Sequence, residues 1–168
     1  MKDIELRLVS ELMKNSRRSD RELAKVLGVS QPTVSRVIKR LEEERVLQGY
    51  TAIPDMRKMG IELIAIIFAN ARSQETSAQR LQIAKQFVKS HPNIIFASTG
   101  IGAGSERVVV SLHKNYADYT KFRQELQTVA GGLFTLSETF LISYKSDNIL
   151  RQLSFEYLED YLARGKQE

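Results

Sequence analysis

An α+β chain built in two parts is what this sequence predicts, and three observations predict it. Up to residue 41 the apolar residues recur at helical spacing, from 61 to 144 short β-branched runs alternate with helical ones, and the polar stretch PDMRKMG (54–60) separates the two patterns. At 168 residues and 42% hydrophobic content, the chain can fill one ordinary core or two small ones without metals or cross-links.

Leu6, Leu8, Val9, Leu12 and Met13 form a helix-like apolar cluster within 4–14, and the polar residues 15–18 break it. Ser19 followed by Glu22 is a capping box, whose hydroxyl and carboxylate satisfy free backbone donors at a helix start. Leu23, Ala24, Val26 and Leu27 are the buried side of this short helix, and Gly28 stands where a left-handed residue ends it. Ser30 caps the next helix and Pro32 sits in its first turn, where a missing N–H costs nothing.

On a helical wheel from Pro32, Val34, Val37, Ile38 and Leu41 share one face, while Arg36 and Lys39 point away, flanked by Thr33, Ser35 and Arg40. One side packs; the other is basic, hydroxyl-rich and free of acid, although acids follow at once at 42–44. Two helices joined by a tight glycine turn, the second presenting such a face, make a helix-turn-helix, whose second helix meets base edges in a major groove. LQGYTAI (47–53) reads as a turn and short strand, a wing beside the helices.

Beyond 60 the order is strand, helix, strand, strand, helix, strand. Residues 61–70 form a β run, and 77–89 a helix with Leu81, Ala84 and Val88 on one side, stopped by Pro92. Strands are predicted at 94–99 and 108–112, then a helix capped by Asn115 with Tyr119, Phe122, Leu126 and Val129 inward, ended by Gly131 and Gly132, and a last strand over 133–144. That order is the ferredoxin-like βαββαβ arrangement, with helices on one sheet face only. IELIAIIFA (61–69) is apolar on both alternating sides, so a second subunit's sheet or the chain's own end must cover the other face. Ile149, Leu150, Leu153, Tyr157, Leu158, Tyr161 and Leu162 fit an amphipathic C-terminal helix. The predicted domains are therefore 1–53 (winged helix-turn-helix), 54–60 (linker), 61–145 (ferredoxin-like) and 146–168 (C-terminal helix).

Net charge is +5, and residues 1–60 hold 13 Lys and Arg against 9 Asp and Glu, so most of the excess lies in the first part, the direction of a nucleic-acid footprint. With no cysteine, disulfides, thiolate metal sites and a cysteine nucleophile are excluded, in keeping with a reducing, cytoplasmic setting. No signal peptide or membrane span is legible, so no membrane partner is expected. His91 before Pro92 reads as a helix C-cap, and His113 ends a strand. Neither has partners for metal or triad chemistry, so no enzyme activity, cofactor or metal site is expected.

The residues RxSxxELAxxxGxS (Arg17, Ser19, Glu22, Leu23, Ala24, Gly28, Ser30), followed by TVSRVIKRLEEE and QGYTA, resemble the DNA-binding half of the Lrp/AsnC, or feast/famine, transcriptional regulators. The second part resembles that family's effector-binding and oligomerisation module in element order. The resemblance implies dimers, or larger even-numbered oligomers, built through the βαββαβ sheets. They would bind pseudo-palindromic double-stranded promoter DNA and answer to a small effector such as an amino acid. The sequence departs from the family in carrying Glu5 as its first-helix acid, Val37 where an arginine is common and Arg45 where a glycine is common. It departs again at STGIGAGSERVVV (98–110), where members often carry a short T-G-x-x-D turn and where the acid here is Glu106.

The expected DNA-contacting set is Ser30, Gln31, Thr33, Ser35, Arg36, Lys39 and Arg40, with Arg36 and Lys39 at bases or phosphates, Gln31, Thr33 and Ser35 as hydrogen-bonding readers and Arg40 at a phosphate. The resemblance implies an effector set of Thr99, Gly100, Gly102, Gly104 and Glu106 at the 98–110 turn and of Ser137 and Thr139, where the family's last strand often bears hydroxyls. The glycines do not fit a nucleotide loop, because a strand follows them instead of a helix N-terminus, and a flexible hairpin is the simpler reading. Two alternatives share the architecture: a siroheme-decarboxylase-like enzyme using the sheet domain as a pocket, and a protein-interaction module. The basic, hydroxyl-rich third helix favours the regulator.

Overall fold

The computed structural model describes residues 2–71, 77–130, 134–147, 149–158, 161 and 162. The chain divides into two compact units, one formed by Met1–Ile53 with Arg151–Glu168, the other by Pro54–Leu150.

In the first unit three helices, α1 (Asp3–Lys14), α2 (Asp20–Leu27) and α3 (Gln31–Glu43), enclose Leu8, Leu12, Leu23, Ala24, Leu27, Val34, Val37 and Leu41. The capping box forms as expected: Glu22 N–H donates to Ser19 Oγ at 3.3 Å, and Ser19 N–H donates to Glu22 Oε2 at 2.7 Å. Gly28 ends α2 at φ 70°, and Ser30 Oγ accepts the N–H of Thr33 at 3.3 Å to start α3. Val26, expected inside, is half exposed; the inward seam of α2 runs through Leu23, Ala24 and Leu27.

Past the Glu44 cap of α3, Arg45 holds the left-handed φ of 55° that glycine adopts freely. The left-handed region costs a side-chain-bearing residue about 1–2 kcal/mol, more than the about 0.4–1 kcal/mol that glycine's wider unfolded ensemble takes back. Arg45→Gly should therefore stabilise the helical unit by a few tenths to about 1 kcal/mol, measured as a raised denaturant midpoint. Residues 48–55 are not in a ladder, contrary to the strand expected at 47–53, because the described residues of this unit include no strand to pair with them. Tyr50 tethers the segment instead, its hydroxyl donating to Glu42 Oε1 at 2.9 Å.

The second unit is a four-stranded antiparallel sheet of β1 (Leu63–Ala71), β2 (Ile94–Gly102), β3 (Ser105–His113) and β4 (Phe134–Ser143), ordered β2-β3-β1-β4, with α4 (Ser77–Ser90) and α5 (Tyr116–Ala130). This is the expected ferredoxin-like order. Ala65 and Ile67 of β1 join Phe87, Tyr119, Phe122 and Leu126 in the core. Helix α4 packs through Phe87, whereas Leu81, expected inward, is 47% exposed. Asn115 caps α5 as expected, its Oδ1 accepting the N–H of Asp118 at 2.9 Å. The side chain of Val129, and Gly131 and Gly132, lie outside the described residues. Residues 54–60 form a turn held by Ile61 N–H to Met56 O at 2.9 Å and by Arg57 against Asp147 at 3.4 Å.

The helix expected near the C-terminus is not present in 149–157, which are turns and bends; helical backbone occurs only at Leu158, Tyr161 and Leu162 among the described residues there. Leu150, Leu153, Phe155 and Tyr161 remain exposed, so burial does not offset the cost of nucleating a helix.

His113 is fully buried at the end of β3, edge-on to Tyr119 with ring centroids 5.5 Å apart. Its Nε2 shares a 2.9 Å hydrogen bond with Ser111 Oγ, while Nδ1 lies 3.7 Å from Asp118 Oδ2 without a hydrogen bond. Burial pushes its pKa below the ordinary 6.5, and Asp118 opposes this only in part. The unfolded chain thus takes up a proton that the folded unit resists, so stability is full above pH 6.5 and falls as pH drops below it. Melting of the sheet unit should move to lower temperature between about pH 7.5 and about pH 5, and His113→Gln should flatten that slope; equal slopes would remove His113 as its source.

Candidate nucleic-acid interface

The alternation in α3 separates two faces physically. Val34, Val37 and Leu41 are buried against α1 and α2, which leaves Gln31, Ser35, Arg36 and Lys39 exposed on the outside. Arg36 has no hydrogen bond or ion pair among the described residues, so its five donors are available to a ligand. Lys39 Nζ approaches Glu43 only to 3.9 Å, with both side chains well exposed, a pairing too weak to hold it.

The remaining members of the expected set are engaged. Ser30 and Thr33 share a 2.8 Å contact between hydroxyls in addition to the cap, so both serve the helix start. Ser35 Oγ donates toward the Asp20 carboxylate at the start of α2 and lies 3.3 Å from the Gln31 carbonyl. Arg40, expected at a phosphate, is held by the buried carboxylate of Glu5 on α1, with Glu44 3.9 Å away. Removing Arg40 would strand a buried charge, so its first role is to join α1 to α3.

Sequence reasoning missed Asp20 and Arg21 at the start of α2. Arg21 is exposed and, like Arg36, unpaired among the described residues. The capping box located that helix start, but the Asp20–Ser35 contact spans fifteen residues and has no local signature. Burial and the bond to Glu42 raise the Tyr50 hydroxyl to a pKa of about 12, so it stays protonated and donating.

The effector set is divided by the sheet. Thr99, Gly100 and Gly102 are exposed on edge strand β2, whereas Ser137 and Thr139 are on β4, with β3 and β1 between. The β2–β3 connection is tighter than a flexible hairpin: Ala103 (φ 49°) and Gly104 (φ 65°) are both left-handed, the signature of a two-residue type I′ turn. Asn70 clamps it, donating from Nδ2 to Gly104 O at 2.8 Å and accepting the N–H of Glu106 at 3.0 Å. Ser105 at the hairpin base meets Ser137 through hydroxyls 2.6 Å apart. Gly102, Gly104, Glu106 and Ser137 thus gather around Asn70 and Ser105, Gly102 as the strand partner of Ser105, whereas Thr99 pairs with Arg107 further along the edge and, like Gly100, is not tied to that group. Thr139 instead lines a shallow depression of about 310 Å³ on the sheet with Ile66, Phe68, Glu138 and Phe140.

His91 caps α4, its Nδ1 2.8 Å from Phe87 O, and stacks on the Phe87 ring. Among the described residues no group of three or more His, Cys, Asp or Glu could hold a metal, and no helix is long and apolar enough to cross a membrane.

A family model described as winged helix-turn-helix DNA-binding matches residues 1–48, which contain α1 to α3. An uncharacterised HTH-type transcriptional regulator of Pyrococcus furiosus is 30% identical over 145 residues, 86% of this chain and 94% of that protein. Two solved structures share the fold. An AsnC family transcriptional regulator from Agrobacterium tumefaciens superposes with a TM-score of 0.73 at 17% identity, covering 96% of this chain and 99% of its own. A transcriptional regulator from Neisseria meningitidis, in complex with L-Met, superposes with a TM-score of 0.74 at 14% identity over 92% and 96%. With a helix-turn-helix of this construction, a βαββαβ sheet unit and a relative matched along nearly its whole length, the chain belongs to the Lrp/AsnC family of HTH-type transcriptional regulators.

Proposed function

We propose that the chain works as a homodimer, or a larger even-numbered oligomer, that binds double-stranded promoter DNA in a sequence-specific way. The observation that carries this reading is the exposed, acid-free row Gln31, Ser35, Arg36 and Lys39 beyond the buried seam of α3. Arg36 and Lys39 supply donors to base edges or phosphates, Gln31 and Ser35 read hydrogen bonds, and Ser30 and Thr33 act mainly by fixing the helix start. Arg21 is a further phosphate contact at a helix N-terminus.

Dimerisation uses the sheet face away from the helices. Ile66 and Phe68 of β1 and Phe140 of β4 present apolar surface there, with Phe140 64% exposed. A dimer on its operator would present two α3 helices to major grooves about 34 Å apart, one turn of duplex, and would block or assist polymerase according to operator position. A small amino acid is the effector class, supported by the L-Met complex of the Neisseria structure and by the hydroxyl-lined hairpin base at Ser105 and Ser137.

Genome-wide recovery of DNA fragments bound by the protein tests this function. The expected result is a set of promoter fragments sharing two-fold-related half-sites about one helical turn apart. Recovery no better than that of an unrelated basic protein would sink it.

A further inference from the structure

We propose that Ser35 is an acceptor-only reader, set in that state by Asp20, and that it selects an amino-bearing base, adenine or cytosine, at one position of each half-site. The inference rests on the DNA-binding reading above and refines it.

A serine hydroxyl has one proton and two acceptor sites. Both polar partners of Ser35 Oγ are acceptors: the carboxylate of Asp20, toward which it donates, and the carbonyl of Gln31 at 3.3 Å. Neither can donate back, so the proton is committed and only lone pairs face outward. Ser30 and Thr33 differ, because two hydroxyls 2.8 Å apart share donor and acceptor roles and keep a proton free. Arg36, next to Ser35, and Lys39, one turn beyond it, are donors only. The exposed side of α3 is therefore chemically divided, with an acceptor spot at Ser35 and donors beside it.

An acceptor spot backed by a carboxylate repels phosphate oxygens, which excludes Ser35 from backbone contact. In the major groove the donors are adenine N6 and cytosine N4, whereas guanine O6 and N7 and thymine O4 are acceptors. Each base pair presents one amino group in the major groove, so this contact distinguishes which strand carries it. Asp20 touches no base in this scheme; it is a positioning residue that acts through the Ser35 proton.

The test is selection of bound duplexes from a randomised pool by the full-length protein, Ser35→Ala and Asp20→Ala, with melting curves to confirm that each variant folds. The unmodified protein should enrich A or C over G or T by about tenfold at one position per half-site, the scale of a single hydrogen bond. Ser35→Ala should erase that preference while the others persist. Asp20→Ala leaves only the Gln31 carbonyl, 3.3 Å away, to compete for the proton, so the hydroxyl can swing and donate and keto bases should become tolerated at that same position and nowhere else. Enrichment in which no amino-base position depends on Ser35, or an Asp20→Ala pool identical to the unmodified one, overturns this inference alone. Failure of the unmodified protein to enrich any duplex overturns the DNA-binding reading, and this inference with it.

Discussion

Phe68→Asp is expected to give a folded monomer with little operator affinity. Phe68 is on the face of β1 turned from the helical core, opposite Val108 of β3 and beside Ile66 and Phe140 at the shallow depression. In a single chain Phe68 is half-buried, so an aspartate there should cost the sheet unit about 1–3 kcal/mol and leave it folded, which a melting curve checks. Across a two-fold interface the same substitution counts twice, and each unpaired carboxylate taken out of water costs several kcal/mol. Dimer dissociation should rise by at least about a thousandfold, visible by sedimentation. Operator binding should then lose the second half-site, a further factor of about 100 to 10,000 in avidity. A Phe68→Asp protein that sediments as the unmodified one does would place the interface elsewhere.

Arg36→Ala is expected to cost about 1–3 kcal/mol per half-site, hence roughly twice that for a dimer on its operator, with relaxed base preference at one position. Because Arg36 is exposed and makes no hydrogen bond or ion pair among the described residues, its removal leaves the helical unit intact. Duplex titration beside a melting curve separates the two effects; unchanged affinity would take Arg36 out of the interface. The contrast with Arg40 is informative. Arg40→Ala deprives buried Glu5 of its cationic partner and leaves it only the Lys2 N–H at 2.7 Å, so loss of binding in that variant reports on folding as much as on contact with DNA.

Much of this fold was legible because its signals are local. The Ser19–Glu22 capping box, left-handed Gly28, the Ser30 cap and the Asn115 cap each depend on residues three or four apart, and each appears as read. The alternating apolar runs likewise set the order of the sheet. What escaped depends on partners distant in sequence. The charge pattern made Arg40 a phosphate ligand until α1 supplied a buried carboxylate 35 residues away, and Asp20 reaches Ser35 across a turn. Strand and helix propensity alone could not form the wing ladder or a helix over 149–157, because neither segment finds a surface in the described chain to repay its ordering. The effector set came from the family resemblance, through the turn at 98–110 and the hydroxyls of the last strand, but the sheet order sends β2 and β4 to opposite edges.

Contact of α3 with duplex DNA through cationic side chains is tested by the dependence of binding on salt. If Arg21, Arg36 and Lys39 of both copies neutralise phosphates or lie against them, log affinity should fall linearly with log salt. The loss should be about a thousandfold or more between about 50 and about 200 mM, and the slope should become shallower for Lys39→Ala. Binding that is absent at low salt, or that ignores salt altogether, would contradict the assignment of this helix to DNA.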